Sequence, residues 1–318
     1  KLAEVLGLRY HSVKSVETAR SKHATRQAMR QAGLRTPKSW IISNRSDLER
    51  ALHEDFPAKA ILKPEQGAEA QLTEDVTRDN ALEVYDRLQA EMDRSDDNVF
   101  KHSRRFVLDT YLEGDEIDVN IVLQNGRVVT ATVTDNWPTR PGSKKATGSS
   151  LPSRSLTAAQ QARDTKLAAD ALVALGFTDG VFHVEMKGGD MLEINVRPGG
   201  SYTVSWDAAV YGVDEAEKLF MTAAGIPLSG LMPEKPLTYL EGVFAFSPRR
   251  GLVKKIGLTE KAKAQGLHIL IEKKPGSTLT ESDNRVAFVY SEGESNQDAL
   301  AKIHGPMSDW LELEIEAR

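Results

Sequence analysis

The stretch GVFHVEMKGGDMLEINVRPGG, residues 180–200, decides how the chain is read. Phe182, Val184 and Met186, then Leu192, Ile194 and Val196, alternate with His183, Glu185 and Lys187, then Glu193, Asn195 and Arg197. Alternation with period two belongs to strands with one buried face, and the glycines between the two runs mark a turn. Register sets the chemistry, because a one-residue slip exchanges the faces of a strand. A two-residue turn at Gly188-Gly189 would set Glu185 against Leu192. A three-residue loop of Gly188, Gly189 and Asp190 sets Glu185 opposite Glu193 and His183 opposite Asn195. The second register is expected, with Glu185, Glu193, Asn195 and Arg197 on one face and all six apolar residues on the other.

Two carboxylates and an amide oxygen suit a hard cation such as magnesium held beside substrate phosphates. Arg197 offers a rigid fork of donors to a carboxylate or phosphoryl oxygen, and Pro198-Gly199-Gly200 lets backbone approach a ligand. A charged solvent face is the plain reading of an arbitrary amphipathic hairpin. Here the order Glu-x-Asn-x-Arg-x-Gly-Gly, preceded by Gly-x-x-His-x-Glu, is narrower than that. It resembles the metal-binding strands of the ATP-grasp superfamily, and most closely its carboxylate-amine ligases, the L-amino-acid ligases and carnosine-synthase-like dipeptide ligases. The resemblance implies an α+β ATP-grasp fold, in which two α+β lobes clamp ATP. It also implies Mg2+, or Mn2+ in its place, on Glu185, Glu193 and Asn195, with Arg197, Glu193, Gly199 and Gly200 at the reacting centre.

Composition is compatible with this. The 318 residues, 40% hydrophobic and 27% charged, are enough to bury a core in two or three subdomains. A net charge of −5 and the lack of a basic stripe argue against nucleic acid as a partner. No apolar run has the length of a membrane span, and residues 1–10 lack the apolar core of a signal peptide, so no membrane partner and a cytoplasmic location are expected. With no cysteine, disulfides and thiolate chemistry are excluded.

Taken in order, residues 1–36 look like the end of a mostly missing domain that precedes the nucleotide site in such ligases. A helix is expected over 18–32 with Lys22 in its first turn. SKHATRQAMRQAGLRTP resembles the family segment whose lysine contacts ATP phosphate, which implies that role for Lys22. Lys63 ends an apolar strand before a loop, and the resemblance makes it the second phosphate lysine. The loop departs from the family: Glu65, Gln66, Gly67, Ala68, Glu69, Ala70 and Gln71 stand where glycine and serine usually fold over phosphates, and two acids make a poor cradle. LDTYLEGDEIDVN resembles the hinge between the lobes. That implies backbone groups near Asp109, Tyr111 and Leu112 on the adenine edge and Glu116 on the ribose.

Farther along, a helix with a Ser46–Glu49 capping box, an Asn125-Gly126 hairpin and a helix over 157–175 are expected. Residues 135–155 read as a polar loop over the acceptor site, with Arg140, Lys144, Lys145 and Arg154 able to attract a carboxylate. His183, Ser201 and Tyr202 are candidate substrate contacts, although a lone histidine more often makes a structural hydrogen bond and aromatic residues there are as often core. The lid lobe is placed at 37–109, the metal lobe at 110–230 and a small α+β unit, covering the cleft or a homodimer interface, at 231–318. The implied activity is ATP-dependent joining of a small-molecule carboxylate to an amine through an acyl phosphate. Other acceptors, such as bicarbonate or a nucleotide precursor, and a nucleotide-binding subunit without turnover stay open.

Overall fold

The computed structural model of the chain describes residues 5, 11–54, 56–67, 70–140, 143–228, 232–280 and 284–317. Ser12 caps α1 (Val13–Arg20), and Ser21 caps α2 (Lys22–Gln31) by accepting from the N–H of Ala24. The single helix expected over 18–32 is therefore two. Ser21 has extended backbone, and its hydroxyl both accepts from Ala24 and donates to Glu65 Oε1 at 2.6 Å, which breaks the helix immediately before Lys22.

A four-stranded antiparallel sheet follows, made of β1 (Ser39–Ile42), β2 (Ala60–Pro64), β3 (Glu74–Val76) and β4 (Phe106–Thr110) in the order β1-β4-β2-β3. The helices α3 (Arg45–His53) and α4 (Ala81–Arg94) cover it. Leu48 and Leu52 of the first and Tyr85, Leu88 and Met92 of the second share a core with Leu62, Phe106 and Leu108. The cap of α3 is Asn44, whose side chain accepts from Asp47, and not Ser46.

The larger sheet begins with β5 (Glu116–Gln124) and β6 (Arg127–Asn136), joined at Asn125-Gly126. Both turn residues are left-handed, at φ 52° and 71°, as a type I′ turn requires. Next come β7 (Gly148–Leu151), α5 (Ala158–Ala174), β8 (Gly180–Lys187), β9 (Asp190–Asn195), α6 (Thr203–Tyr211) and α7 (Glu215–Ala224). The chain then forms β10 (Tyr239–Phe246), β11 (Gly251–Leu258), β12 (His268–Ile271), β13 (Thr278–Leu279), β14 (Arg285–Gly293) and β15 (Leu311–Glu316).

The order of the eight strands is β12-β14-β10-β7-β6-β5-β8-β9, while β13, β11 and β15 make a small sheet of their own. The strands β10, β12 and β14 thus continue the sheet that carries the 180–200 hairpin, and the boundary expected near 230 falls within one sheet. The polar loop expected over 135–155 is shorter than its composition suggests. Residues 148–151 are a buried strand between β6 and β10, because Ser149 and Ser150 bond to Asp135 and Glu241 inside the sheet. Pro141 and Gly142 lie outside the described residues. The α5 helix packs Ala168, Ala171 and Leu172 on Val119, Ile121, Val184 and Ile194, the core behind the hairpin. No helix among the described residues is long and apolar enough to cross a membrane.

Candidate functional site

The hairpin pairs as expected, His183 with Asn195 and Glu185 with Glu193, but by a different route. Lys187 pairs with Asp190 and Met186 with Met191, so the turn is the two-residue Gly188-Gly189, both left-handed at φ 57° and 80°. A bulge at Leu192 then restores the register that brings the carboxylates together. Leu192 was expected on the apolar face. It lines the cavity instead, and Met191 takes its place in the core. The carbonyl exposed by the bulge accepts from Arg26 Nη2 at 2.6 Å.

One cavity of about 530 Å³ lies between the two larger sheets. Lys22, Lys63, Asp109, Tyr111, Leu112, Glu116, Glu185, Glu193, Asn195 and Arg197, all expected at the site, line it. On the hairpin wall, Glu185 faces Glu193 on β9 and Asp118 on β5. Burial, then Glu193, then Asp118 push the Glu185 carboxyl up to about 7. Asp118 is raised to about 7 by burial and Glu116, against a hydrogen bond from Asn136 at 2.9 Å. Asn195 Nδ2 donates to Glu185 Oε1 at 3.2 Å, which leaves the amide oxygen as an acceptor. Lys22 Nζ rests on Glu193 Oε1 at 3.2 Å. Among the described residues no group of three or more Asp, Glu, His or Cys side chains is set to hold a metal. A cation here would take two carboxylates and an amide oxygen and need further oxygens from elsewhere, the donor set of an ion that bridges to phosphate.

The opposite wall is compensated within the protein. Asp109, only 2% exposed, receives Lys63 Nζ at 3.0 Å and Arg26 Nη2 at 3.3 Å. Burial alone would raise its carboxyl, but Lys63 and Arg26 outweigh burial and hold it well below the usual carboxylate range. Burial lowers the Lys63 ammonium, against the pull of Asp109. Arg26 is fully buried, spans from β4 to the β9 bulge, and has Nε and Nη1 without a protein partner among the described residues. Arg26 was not anticipated, although its position four residues after Lys22 put both on one helix face.

The hinge backbone is partly used internally, since the Tyr111 N–H donates to Lys59 O at 3.3 Å. The Tyr111 ring carries Lys59 Nζ 3.4 Å from its centre. Glu65 is not an acid of the phosphate loop. Buried and outside the cavity lining, it accepts from Ser21, from Ser103 at 2.9 Å and from Arg105 at 2.8 Å. Burial raises its carboxyl, but Ser21, Ser103 and Arg105 bring it below the ordinary value. Its role is to tie the start of α2, and with it Lys22, to the end of β2. Ala70 lines the cavity with a left-handed backbone at φ 57° where a glycine would be unstrained. Ala68 and Glu69 lie outside the described residues.

Seven expected residues fall outside the cavity lining. Tyr202 stacks on Phe288 with ring centres 4.2 Å apart and belongs to an aromatic core with Trp206, so it is no wall of the cavity. His183 shares the face of Glu185, with Nε2 3.8 Å from Glu185 Oε1, but is buried and outside the cavity lining, and burial lowers its imidazole pKa. Its Nδ1 lies 2.7 Å from Asn120 Oδ1, and Asn120 Nδ2 is donated to Asp207 at 2.6 Å, so Nδ1 carries the proton. Gly199 gives its N–H to Glu215 Oε2 at 3.3 Å and has Thr203 Oγ1 where a Cβ would sit; packing requires that glycine. Ser201, exposed and left-handed at φ 55°, is outside the cavity lining, as is Gly200. Arg154 pairs with Glu241 at 3.5 Å and Arg140 lies 3.7 Å over Phe246, whereas Lys144 and Lys145 do line the cavity.

Residues 56–204 match the ATP-grasp domain family. Carnosine synthase 1 of Homo sapiens is 33% identical over 204 residues, which are 61% of this chain and 24% of that protein. The chain therefore spans about a quarter of the length of this curated relative. An L-amino acid ligase from Bacillus licheniformis superposes with a TM-score of 0.82 and 20% identity over 99% of this chain and 77% of that one. The biotin carboxylase domain of the Hydrogenobacter thermophilus 2-oxoglutarate carboxylase, in complex with MgADP, ADP and bicarbonate, gives a TM-score of 0.71 at 17% identity, covering 95% of this chain and 68% of that one. The fold is the α+β ATP-grasp fold, as the hairpin and hinge motifs implied.

Proposed function

We propose that this chain, an ATP-grasp domain by fold and by family match, is an ATP-dependent carboxylate-amine ligase that forms amide bonds between amino acids or small peptides. The observation that carries the reading is the meeting of Lys22, Lys63, Glu185, Glu193, Asn195 and Arg197 around one cavity from segments up to 175 positions apart in sequence. Similarity to carnosine synthase 1 and to an L-amino acid ligase supports it.

In this reading Glu185, Glu193 and the Asn195 oxygen hold Mg2+, or Mn2+, which when bound neutralises phosphate charge and orients the transferring group. Lys22 gives up Glu193 for a phosphate oxygen, and Lys63 reaches the phosphates from beside Asp109. The hinge at Asp109, Tyr111 and Leu112 takes adenine, and Glu116 takes the ribose hydroxyls. A substrate carboxylate oxygen attacks the γ-phosphorus, the bond to the β-phosphate oxygen breaks, and ADP leaves with that electron pair. Arg197 donates to the oxygens of the transferring group. The amine nitrogen then attacks the acyl carbon, the C–O bond to phosphate breaks, and the amine proton leaves with inorganic phosphate. Gly199, fixed by Glu215, sets the backbone beside Arg197.

The reading without turnover rested on an acidic phosphate loop. Glu65 is turned out of the cavity and neutralised by Arg105, which favours the enzyme. The test is ADP release with Mg2+ and ATP against amino acids singly and in pairs, with mass spectrometry of products. Release that requires a defined pair and yields a new amide mass is the expected result. Release with bicarbonate alone would move the reading to another acceptor.

A further inference from the structure

The sheet that carries the hairpin also brings to the cavity an arginine that the reaction above does not use. Arg285 begins β14, near the other edge of the large sheet from β9, and lines the same cavity as Arg197. Strict alternation would put Arg285 on the face of Ala287, which is fully buried in the core. Pairing with β10 is irregular here: Ala245 pairs with Ala287 and Phe246 with Arg285, so Val286 is an extra residue. This bulge lets Val286 and Ala287 both enter the core and leaves Arg285 at the cavity, as the bulge on β9 leaves Leu192 there.

The side chain is fixed before any ligand arrives. Its Nε donates to Glu272 Oε2 at 2.6 Å, with both side chains about a quarter exposed, and the guanidinium lies 4.6 Å from the centre of the Phe244 ring. Among the described residues no hydrogen bond engages its two terminal nitrogens. Such a fork fits a carboxylate by two parallel bonds.

Charge favours an anionic ligand in general: among the described residues lining the cavity, eight are lysine or arginine and four are aspartate or glutamate. Two of those cations, Lys144 and Arg285, are also paired with carboxylates outside the lining, Asp75 and Glu272, so it is the open fork of Arg285, more than the charge balance, that singles out a carboxylate. The reacting carboxylate belongs at the phosphoryl group beside Arg197, which leaves Arg285 to the second substrate.

We propose that Arg285 binds the free carboxylate of the acceptor, so that the amine substrate is an amino acid or peptide with a free C-terminus and not a simple amine. This rests on the ligase reading above. The test pairs L-histidine with histamine, L-phenylalanine with phenethylamine and L-leucine with isopentylamine as acceptors in the ADP-release assay. In parallel, each is titrated calorimetrically into protein loaded with Mg2+ and a non-hydrolysable ATP analogue.

The unmodified protein should prefer at least one acid over its amine by 100-fold or more in kcat/KM. Arg285→Leu should raise KM for that acid by 30-fold or more, bring the pair within about threefold of each other, and leave affinity for the ATP analogue as it was. Arg285→Lys, which keeps the charge and loses the fork, should fall between them, and unchanged analogue binding shows that both variants fold. Equal use of acid and amine by the unmodified protein overturns the proposal, as does an acid preference that survives Arg285→Leu or a change confined to KM of the carboxylate donor. If no probe elicits ADP release but the acids bind in an Arg285-dependent way, the ligase reading falls and the carboxylate site stands. If nothing binds, Arg285 is not such a site.

Discussion

Asp109 and Glu185 are carboxylates on opposite walls of one cavity, and they are driven in opposite directions. Asp109 sits between Lys63 and Arg26 and is held far below its ordinary value. Glu185 sits among Glu193, Asp118 and a neutral histidine and is raised to about 7. Burial disfavours the charge on both; what differs is the neighbours. On the lid wall the one buried carboxylate is fully answered by two cations without ligand. On the hairpin wall Glu185, Glu193 and Asp118 crowd together, and among the described residues Lys22 is the one lysine or arginine ion-paired with any of the three, which is the condition of a site built for an added cation.

The contrast breaks most sharply at Asp109. Replacing it by Leu strands two buried cations and should cost about 3–5 kcal/mol of stability, read as a lower urea midpoint. A loss under 1 kcal/mol would mean that Lys63 and Arg26 find other partners. On the hairpin wall, Glu193→Gln should lower kcat/KM for magnesium-dependent ATP consumption by about 10²–10³-fold while the fold stays intact. Unchanged consumption would remove Glu193 from the metal set.

A smaller effect separates the two lysines' roles. Lys63→Ala should weaken ATP binding by about 10–100-fold, because a charge-assisted bond to phosphate is lost while Arg26 still holds Asp109. An unaltered nucleotide affinity would leave Lys63 as a structural partner of Asp109 only.

The mildest test sharpens the comparison by pH. Glu185 has an ordinary value of 4.5 and a folded value of about 7, so between these the folded chain holds more protons than the unfolded one. Metal-free protein should therefore lose stability as pH rises through this window, and Asp118 acts in the same sense. Added Mg2+ should flatten that slope in thermal melts. A flat profile without metal would show that the hairpin wall is already neutralised.

Much of this was legible locally. The alternation over 180–200 placed Glu185 opposite Glu193 because side-chain direction along a strand is a property of neighbouring residues. The turn was misread because a bulge has no signature as strong as glycine spacing: two glycines and one extra leucine give the same net register as a three-residue loop. Tyr202 and His183 were the weak candidates for the same reason. Whether an aromatic ring meets a cavity or Phe288, 86 positions away, is not written near the ring.

The sequence by itself determined the pairing of the carboxylates, which depends on local periodicity, and its resemblance to ATP-grasp ligases pointed to the fold and to Lys22 and Lys63. Tertiary structure alone decided the charge balance. It turned Glu65 away to hold Ser21, set Arg26 and Lys63 on Asp109, and brought Arg285 of β14 to the cavity that the hairpin lines. The physical reason is that Coulomb interaction and burial depend on distance in space, and the partners Ser21–Glu65, Lys63–Asp109 and Arg26–Asp109 are separated by 44 to 83 positions along the chain.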